Sequence, residues 1–162
     1  MRPWIVLLFV ILFRIPSAAH ADGLFVEAGW GFNYTRSETV FLRYYKDTSP
    51  VFGLNSFYDF SLASWNGPSN NHAVTIGRGV LWGWTEEFYS SFEAGGAYLW
   101  KTTENLGTRL QLAFRFAFGL KAGKFDISAG YNHFSNGKEI YSWSNGTNRG
   151  ENFVTLQIGR MF

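Results

Sequence analysis

The chain has 162 residues, 20% of them aromatic, and a formal net charge of +2. It contains no cysteine, which excludes disulfide bonds, thiolate nucleophiles and zinc–thiolate sites. Two arginines, Arg2 and Arg14, lie in an N-terminal segment that we expect to be removed, which lowers the net charge to about zero. A basic surface is therefore not expected, and neither is a nucleic-acid partner.

The first 21 residues have the three parts of an export signal. Arg2 supplies the positive start, residues 4–13 form an apolar core, and residues 19–21 (Ala-His-Ala) give a small-x-small cleavage site. The apolar core is too short to cross a membrane as a helix. We therefore predict a cleaved signal peptide over residues 1–21 and a single mature domain over residues 22–162.

Segments of alternating polarity follow one another along the mature domain. In the clearest one, every even position from Leu110 to Leu120 is apolar, and the odd positions carry Gln111, Arg115 and small residues. This period of two indicates strands with one apolar face, and so many aromatic residues on that face are typical of membrane barrels rather than soluble sandwiches. The predicted strands lie at Leu24–Tyr34, Thr39–Tyr45, Ser56–Trp65, His72–Trp82, Phe88–Trp100, Arg109–Leu120, Lys124–Asn136 and Glu151–Phe162. The predicted fold is all-β: an eight-stranded antiparallel transmembrane β-barrel of the Gram-negative outer membrane.

Most charged residues of these strands have the parity opposite to the apolar face. Both signs occur, so we expect a salt-bridge network inside a narrow barrel, formed by Glu27, Arg43, Asp59, Glu93, Arg115 and Asp126. A barrel of eight strands is filled by side chains, which argues against a pore. Arg78 breaks the parity of the fourth strand, and the pattern does not assign it a place.

The lengths of the connections set the orientation of such a barrel. With an even number of strands both termini lie in the periplasm, short turns join the strands there, and longer loops face outside. Residues 120–124 form a tight connection and residues 137–150 a long polar one, so the seventh strand is expected to run outward. The final Phe162 follows apolar residues at alternate positions and resembles the assembly signal of bacterial outer-membrane barrels.

The seventh strand ends on polar residues that its apolar face does not explain. Over residues 124–136 the odd positions are apolar until His133 and Ser135, which fall on the same face at the outer end. Positions i and i+2 of a strand share a face and lie about 6.5–7 Å apart, so a histidine nitrogen can accept the serine proton. The plainer interpretation is a pair of interfacial residues that reach toward lipid headgroups beside Tyr131.

A third group must orient the imidazole, and the eighth strand offers two candidates. Alternation places Asn152 on the lipid face and Glu151 inside. If Ser135 lies opposite Asn152, His133 is the diagonal neighbour of Asn152 and within its reach. Glu151 is the nearest carboxylate in sequence, but it needs a β-bulge to reach the same face.

Two short motifs near the end of the chain resemble those of a known family. The run from His133 to Gly137, followed by Asn148 to Asn152 at the start of the last strand, is similar to the pattern of the PagL family of outer-membrane lipid A 3-O-deacylases. Residues 92–96 are similar to that family as well. The resemblance implies a hydrolase that removes the 3-position hydroxyacyl chain of lipid A in the outer leaflet. It implies no cofactor, and it makes lipopolysaccharide the partner.

The same resemblance implies a role for each polar residue of the first motif. Ser135 is then the nucleophile that attacks the ester carbonyl. His133 is the general base and afterwards the general acid for the leaving group. Asn136 and Gly137 help to form the oxyanion hole, where preorganised donors lower the barrier.

The third member of the site departs from the family pattern, which commonly has glutamate or aspartate where this chain has Asn152. An asparagine can orient a histidine but cannot neutralise the imidazolium, so slow turnover is expected. We favour Asn152 over Glu151 as the orienting residue, with Glu139 as a third choice. In the last external loop, Lys138 and Arg149 are candidates for pairing with lipid A phosphates.

Two other functions fit parts of the pattern. A non-catalytic barrel, structural or adhesive, has the same fold and does not depend on Ser135. An acyltransferase needs an interior pocket for an acyl chain, and Arg115 and Asp126 on the inward face argue against one. A metal site is not expected either, because only His133 and the surface residue His72 remain after cleavage. These patterns do not define the oligomeric state.

Overall fold

The computed structural model describes residues 22–138 and 147–162, which form a closed antiparallel barrel of eight strands. The strands are β1 (Gly23–Gly31), β2 (Glu38–Val51), β3 (Leu54–Asn66), β4 (Asn71–Gly83), β5 (Phe88–Leu99), β6 (Leu110–Ala122), β7 (Phe125–Ser135) and β8 (Glu151–Met161). Each strand pairs with its neighbours in sequence, and β1 pairs with β8 to close the sheet. The predicted barrel is therefore confirmed. Within the described ranges no helix has the length and apolarity to cross a membrane.

The strand ends differ from the predicted ones mainly in β1 and β2. β1 ends at Gly31 rather than Tyr34, and β2 continues to Val51, whereas the alternation predicts its end at Tyr45. Beyond Thr48 the register of β2 against β3 shifts. The alternation ends earlier, at Tyr45, because the next two residues, Lys46 and Asp47, are both polar and exposed, although they still pair with β3.

The connections differ in length at the two ends of the barrel. One end, here termed the long-loop end, carries the connections 32–37, 67–70, 100–109 and 136–150. The other, the short-turn end, carries the connections 52–53, 84–87 and 123–124. Long loops on one side and short turns on the other are the asymmetry of outer-membrane barrels, in which the long loops face outside.

Burial alternates along the strands as the sequence predicts. Apolar residues of the outer face are exposed, for example Leu110, Phe118 and Ile127. The charged residues of opposite parity are 4% exposed or less: Glu27, Arg43, Asp59, Glu93, Arg115 and Asp126. The outer wall is therefore apolar and suited to lipid, and the lumen is polar.

Two arginines organise the lumen. Arg43 pairs with Glu27 and lies 2.5 Å from Asp59, measured from Nη1 to Oδ2. Arg115 lies 2.9 Å from Glu93 and 3.3 Å from Glu27, measured between guanidinium nitrogens and carboxylate oxygens. The predicted interior network is thus confirmed for these residues. Each arginine faces more than one carboxylate, which offsets the cost of burying its charge.

Two other charged residues stand apart from this network. Asp126 is buried and accepts a hydrogen bond from the Tyr89 hydroxyl at 2.7 Å. Arg78 lies on the outer wall, where its guanidinium donates to the Ser49 carbonyl oxygen at 3.0 Å and lies over the Tyr58 ring. Its broken parity therefore reflects an arginine that faces outward.

Apolar clusters close the lumen on both sides of the charged layer. The cluster toward the long-loop end contains Phe41, Trp65, Leu99, Leu106, Phe134 and Phe153. The cluster toward the short-turn end contains Phe25, Tyr45, Phe57, Leu81, Tyr89 and Met161. A cavity of about 20 Å³ lined by Arg43 and Arg115 has room for about one water molecule. An acyl chain does not fit there, as the charges of the inward face predict.

Candidate active site

Strands β6, β7 and β8 bring the predicted site residues together at the long-loop end. His133 of β7 lies opposite Phe114 of β6 and Asn152 of β8. Ser135 lies opposite Leu112, at the end of β7. The pairing of Ser135 with Asn152 that we considered does not occur, because the register of β8 pairs Asn152 with His133. Asn152 therefore faces His133 directly rather than diagonally.

The imidazole of His133 is held by a neutral amide. Its Nδ1 lies 2.9 Å from Oδ1 of Asn152. An amide oxygen can only accept, so Nδ1 donates to it, and in the neutral form of such an imidazole Nε2 is the acceptor. The rings of Phe114 and Tyr131 stack with the imidazole, with centroids 6.4 and 6.3 Å away. A neutral imidazole with a free Nε2 is the state that a general base requires.

The hydroxyl of Ser135 is engaged by Asn148. The Asn148 amide nitrogen, Nδ2, lies 3.0 Å from Ser135 Oγ and donates to it. The backbone N–H of Gly137 donates to the same Oγ at 3.2 Å. Across the described ranges no hydrogen bond joins Ser135 to His133, so the serine side chain has to rotate before the two can exchange a proton.

The residues predicted for the oxyanion hole lie in the turn after β7. Asn136 is buried, and its backbone N–H donates to Oδ1 of Asn148 at 3.0 Å. Its side chain donates to the Thr147 carbonyl oxygen, also at 3.0 Å. Gly137 has a φ of +65°, a left-handed conformation that favours glycine and here directs its N–H toward Ser135. Asn148 thus links the turn to the serine.

Glu151 lies on the other side of the barrel wall from Asn152. It is fully buried, one carboxylate oxygen accepts a hydrogen bond from Asn105 at 3.1 Å, and the other has no partner within the described part of the chain. The register of β8 shows no shift that would turn Glu151 toward His133. The structure therefore brings Asn152 to the imidazole and Glu151 into the lumen. Glu139, the third choice, lies outside the described residues.

Two further residues help to fix the site, although the alternation of polarity does not single them out. Thr35 accepts the backbone N–H of Asn152 through Oγ1 at 2.8 Å, which ties β8 to the 32–37 loop. Gly150 has a φ of +75°, and a Cβ there would lie 2.8 Å from Cε1 of His133. Only glycine at position 150 therefore leaves enough room for the imidazole. Gly150 lies in the second motif, but Thr35 is distant in the chain and carries no sequence signal.

Two charged side chains lie on the loop beside the site. In the described ranges no charged side chain bonds to Ser135, His133 or Asn152, and no group of three or more metal-ligating side chains occurs. Lys138 and Arg149 are exposed on the loop that flanks the site, and the Arg149 guanidinium lies 5.4 Å from the centroid of the Tyr34 ring. The site itself is built from neutral groups on an apolar wall. A hydroxyl, a base and amide donors are the parts that acyl transfer to a nucleophile needs.

Comparisons with known proteins place the chain in a family. The sequence profile described as "Lipid A 3-O-deacylase (PagL)" matches residues 38–160, which include both motifs. The solved structure titled "Crystal structure of the outer membrane enzyme PagL" has a TM-score of 0.67 at 18% identity, over 86% of this chain and 99% of that chain. A de novo designed transmembrane β-barrel has a TM-score of 0.63 at 13% identity, over 88% of this chain and 95% of that chain. The Yersinia pestis outer membrane protein Ail has a TM-score of 0.52 at 11% identity, over 88% of this chain and 100% of that chain.

At these identities the solved structures show the fold alone, while the profile shows the family. A search of curated protein sequences gave no significant match. The profile spans most of the chain, and the barrel has the asymmetric ends of an outer-membrane protein. The chain therefore belongs to the PagL family of lipid A 3-O-deacylases and is a β-barrel of the Gram-negative outer membrane.

Proposed function

We propose that this protein is a serine esterase that hydrolyses the 3-position hydroxyacyl ester of lipid A in the outer leaflet. The observation that carries the proposal is the 2.9 Å hydrogen bond between His133 and Asn152, which leaves Nε2 free on the face that also carries Ser135. The family supplies the substrate, lipid A. The long-loop end supports the outer leaflet, because that end of such barrels faces outside.

Acylation begins with attack of Ser135 Oγ on the ester carbonyl carbon. For this step Oγ rotates away from Asn148 toward His133, and Nε2 takes the hydroxyl proton. The rotation frees the Asn148 amide and the Gly137 N–H, which lie 3.0 and 3.2 Å from the original position of Oγ. These two donors can then bind the carbonyl oxygen as it becomes negative. Asn136 holds Asn148 in place through its backbone N–H.

The later steps return the protein to its first state. His133 gives its proton to the 3-hydroxyl oxygen of the sugar as the carbon–oxygen bond breaks, which leaves the acyl chain on Ser135. A water molecule then attacks the acyl carbonyl, with His133 again as the base. Cleavage of the Ser135 ester releases a hydroxy fatty acid, and the serine regains its proton.

The polar surroundings fit a phosphorylated lipid. Lys138 and Arg149 are exposed beside the site and can pair with lipid A phosphates while the ester reaches Ser135. The neighbouring wall is apolar, with Leu110 and Val154 more than half exposed, and suits the acyl chains. The cavity between Arg43 and Arg115 in the lumen, about 20 Å³, is too small for an acyl chain, which favours hydrolysis at the wall over an acyltransferase with an interior pocket.

The test is mass spectrometry of lipid A from Gram-negative cells that express the protein or its Ser135→Ala variant. The wild type is expected to remove one hydroxyacyl chain, and Ser135→Ala is expected to remove none, because the nucleophile is absent. The matched control is Ser49→Ala, an exposed serine at the short-turn end, which should leave the activity unchanged.

Heat-modifiable migration on gels verifies that every variant is folded in the outer membrane. Lipid A that stays intact with the folded wild type, in cells and again in mixed detergent micelles, contradicts the proposal and favours a structural barrel. Deacylation that survives Ser135→Ala contradicts the assigned nucleophile but not the substrate. Deacylation in micelles alone points to an enzyme that is latent in the intact membrane.

A further inference from the structure

The asparagine of this site raises a problem that a carboxylate does not have. Both oxygens of a carboxylate accept hydrogen bonds, so either one can hold the Nδ1 proton of a histidine. The two ends of an asparagine amide differ, since Oδ1 accepts and Nδ2 donates. If Asn152 turned its Nδ2 to the imidazole, Nδ1 would have to accept and Nε2 would carry the proton. That tautomer cannot take a proton from Ser135.

Tyr131 provides a second contact to this amide. It lies on the same face of β7 as His133, and its hydroxyl donates to Oδ1 of Asn152 at 2.6 Å. Its ring lies near Phe32, with centroids 5.9 Å apart, and it also stacks with the imidazole. These contacts hold the phenol where its hydroxyl meets Asn152. One amide oxygen therefore accepts from both Tyr131 and His133.

The two orientations of the amide differ in which groups they leave without a partner. As observed, Oδ1 of Asn152 takes the hydrogens of Tyr131 and His133 together. After a half-turn of the amide, Nδ2 would donate to the Tyr131 oxygen and to Nδ1 of His133. A phenol is a stronger donor than acceptor, so this exchange is unfavourable, and the Tyr131 hydrogen and the carbonyl oxygen of Asn152 would both lose their bond on a wall that faces lipid. Polar groups without partners are costly there, because no bulk water replaces the lost bond.

We propose that Tyr131 is a positioning residue that fixes the orientation of the Asn152 amide and, through it, the reactive tautomer of His133. The inference rests on the proposed function for its role in turnover, but the tautomer itself can be measured without any substrate. Tyr131 acts only through Asn152, so its effect should vanish when residue 152 is a symmetric carboxylate.

The first experiment is ¹⁵N NMR of the barrel in detergent micelles, labelled at histidine. His72 and His133 are the histidines of residues 22–162, and a His72→Asn variant assigns the two sets of signals. At about pH 9 an ordinary imidazole is neutral, and the ring shifts report which nitrogen is protonated. We expect His133 to be protonated at Nδ1 in the wild type. Tyr131→Phe, which keeps the ring, should give a mixture of both tautomers.

The second experiment is a double-mutant cycle on the rate of deacylation. Tyr131→Phe should lower kcat about tenfold, with KM changed less than about twofold, because substrate contacts are unaffected. In the Asn152→Asp background the same substitution should lower kcat less than about twofold. Tyr98→Phe, an exposed tyrosine of the outer wall, is the matched control and should have no effect in either background.

The outcomes separate this inference from the proposed function. An unchanged tautomer ratio in Tyr131→Phe overturns the positioning role, whatever the activity. An equal loss of kcat in both backgrounds overturns it as well, because Tyr131 then acts on something other than the amide. A tautomer shift in a barrel that does not deacylate lipid A supports the positioning role and contradicts the proposed function alone.

Discussion

The barrel contains two polar clusters, one in the lumen and one on the outer wall, and they differ in how they are neutralised. The lumen cluster is ionic: Arg43 and Arg115 share the carboxylates of Glu27 and Glu93. The wall cluster contains hydroxyls, an imidazole and amides, and the hydrogen bonds that join them include no carboxylate, ammonium or guanidinium group. Both are well bonded, but only one carries full charges.

The difference follows from what lies on each side of the wall. In the lumen Arg43 and Arg115 lie at fixed distances from carboxylates of opposite charge, which compensates for the lost water. On the outer face the neighbour is hydrocarbon, where charged side chains destabilise a barrel to an extent that depends on depth. Asn152 in place of a carboxylate therefore suits its surroundings, and the expected cost falls on catalysis. The lumen should govern stability, and the wall should govern turnover.

The largest effect, a loss of stability, should come from Arg115→Ala in the lumen cluster. Its removal leaves the buried carboxylates of Glu27 and Glu93 with less compensation, and breaking a buried pair costs about 3–5 kcal/mol. Urea unfolding in detergent micelles measures the loss. Arg78→Ala is the control, because that arginine faces outward. Equal unfolding midpoints for the two variants would show that the lumen network is not what stabilises the barrel.

Gly150→Ala, in the wall cluster, should lower activity much more than stability. Its methyl group would lie 2.8 Å from the imidazole of His133, so we expect kcat to fall about 100-fold through misplacement of the base. Gly53→Ala is a close match, because Gly53 also has a positive φ (+78°) but nothing within 4 Å. Both variants should lose about 1 kcal/mol of stability to backbone strain, and only Gly150→Ala should lose activity. Similar activity in the two would contradict the placement of His133 in the site.

Asn152→Asp should give the wall cluster a carboxylate, the kind of charged group that the lumen cluster already has. A carboxylate at the same position stabilises the imidazolium as it forms, so kcat is expected to rise about tenfold. The added charge on the lipid face should cost less than about 1 kcal/mol near the membrane surface. Turnover in mixed micelles and urea unfolding measure the two effects. A variant that is less stable and no faster would show that Asn152 does not orient the base.

The smallest effect is expected at an exposed pair outside both clusters. Lys46 donates to Asp22 at 2.5 Å, and this hydrogen bond lowers the pKa of the Asp22 carboxyl. A carboxyl with a lower pKa in the folded state adds stability above its unfolded pKa of about 4, and the gain is lost as the pH falls through the folded value. The wild type should therefore be slightly more stable than Asp22→Asn at pH 7. Unfolding midpoints should converge in acid, and a gap that widens there would contradict the assignment.

The sequence predicts the barrel well because the two faces of its wall differ clearly in polarity. Alternation identifies Arg115 as inward and Phe118 as outward, and the structure confirms both. It fails at the end of β2, where Lys46 and Asp47 are both exposed although they still pair with β3. Backbone pairing can continue where the side chains no longer alternate between lipid and lumen, so periodicity alone cannot locate the strand end.

The site is predicted less completely than the fold. Parity is enough to put His133 and Ser135 on one face and Glu151 on the other. It does not fix the register between β7 and β8, and the pairing of Asn152 with Ser135 that we considered is two residues away from the actual pairing with His133. The contact between Asn148 and Ser135 depends on the conformation of a loop. A loop has no repeating sequence pattern from which this contact could be predicted. The roles of these residues stay predictions until the variants above are measured.

The outward orientation of the serine has a consequence for how the rate is measured. Under the proposed function, the substrate reaches the wall sideways, by diffusion within a surface, and not through a mouth open to solution. The concentration that sets the rate is therefore the number of lipid molecules per unit of interface. Adding inert detergent at a constant total amount of substrate should slow the reaction in proportion to surface dilution, although every molar concentration of enzyme and substrate stays the same.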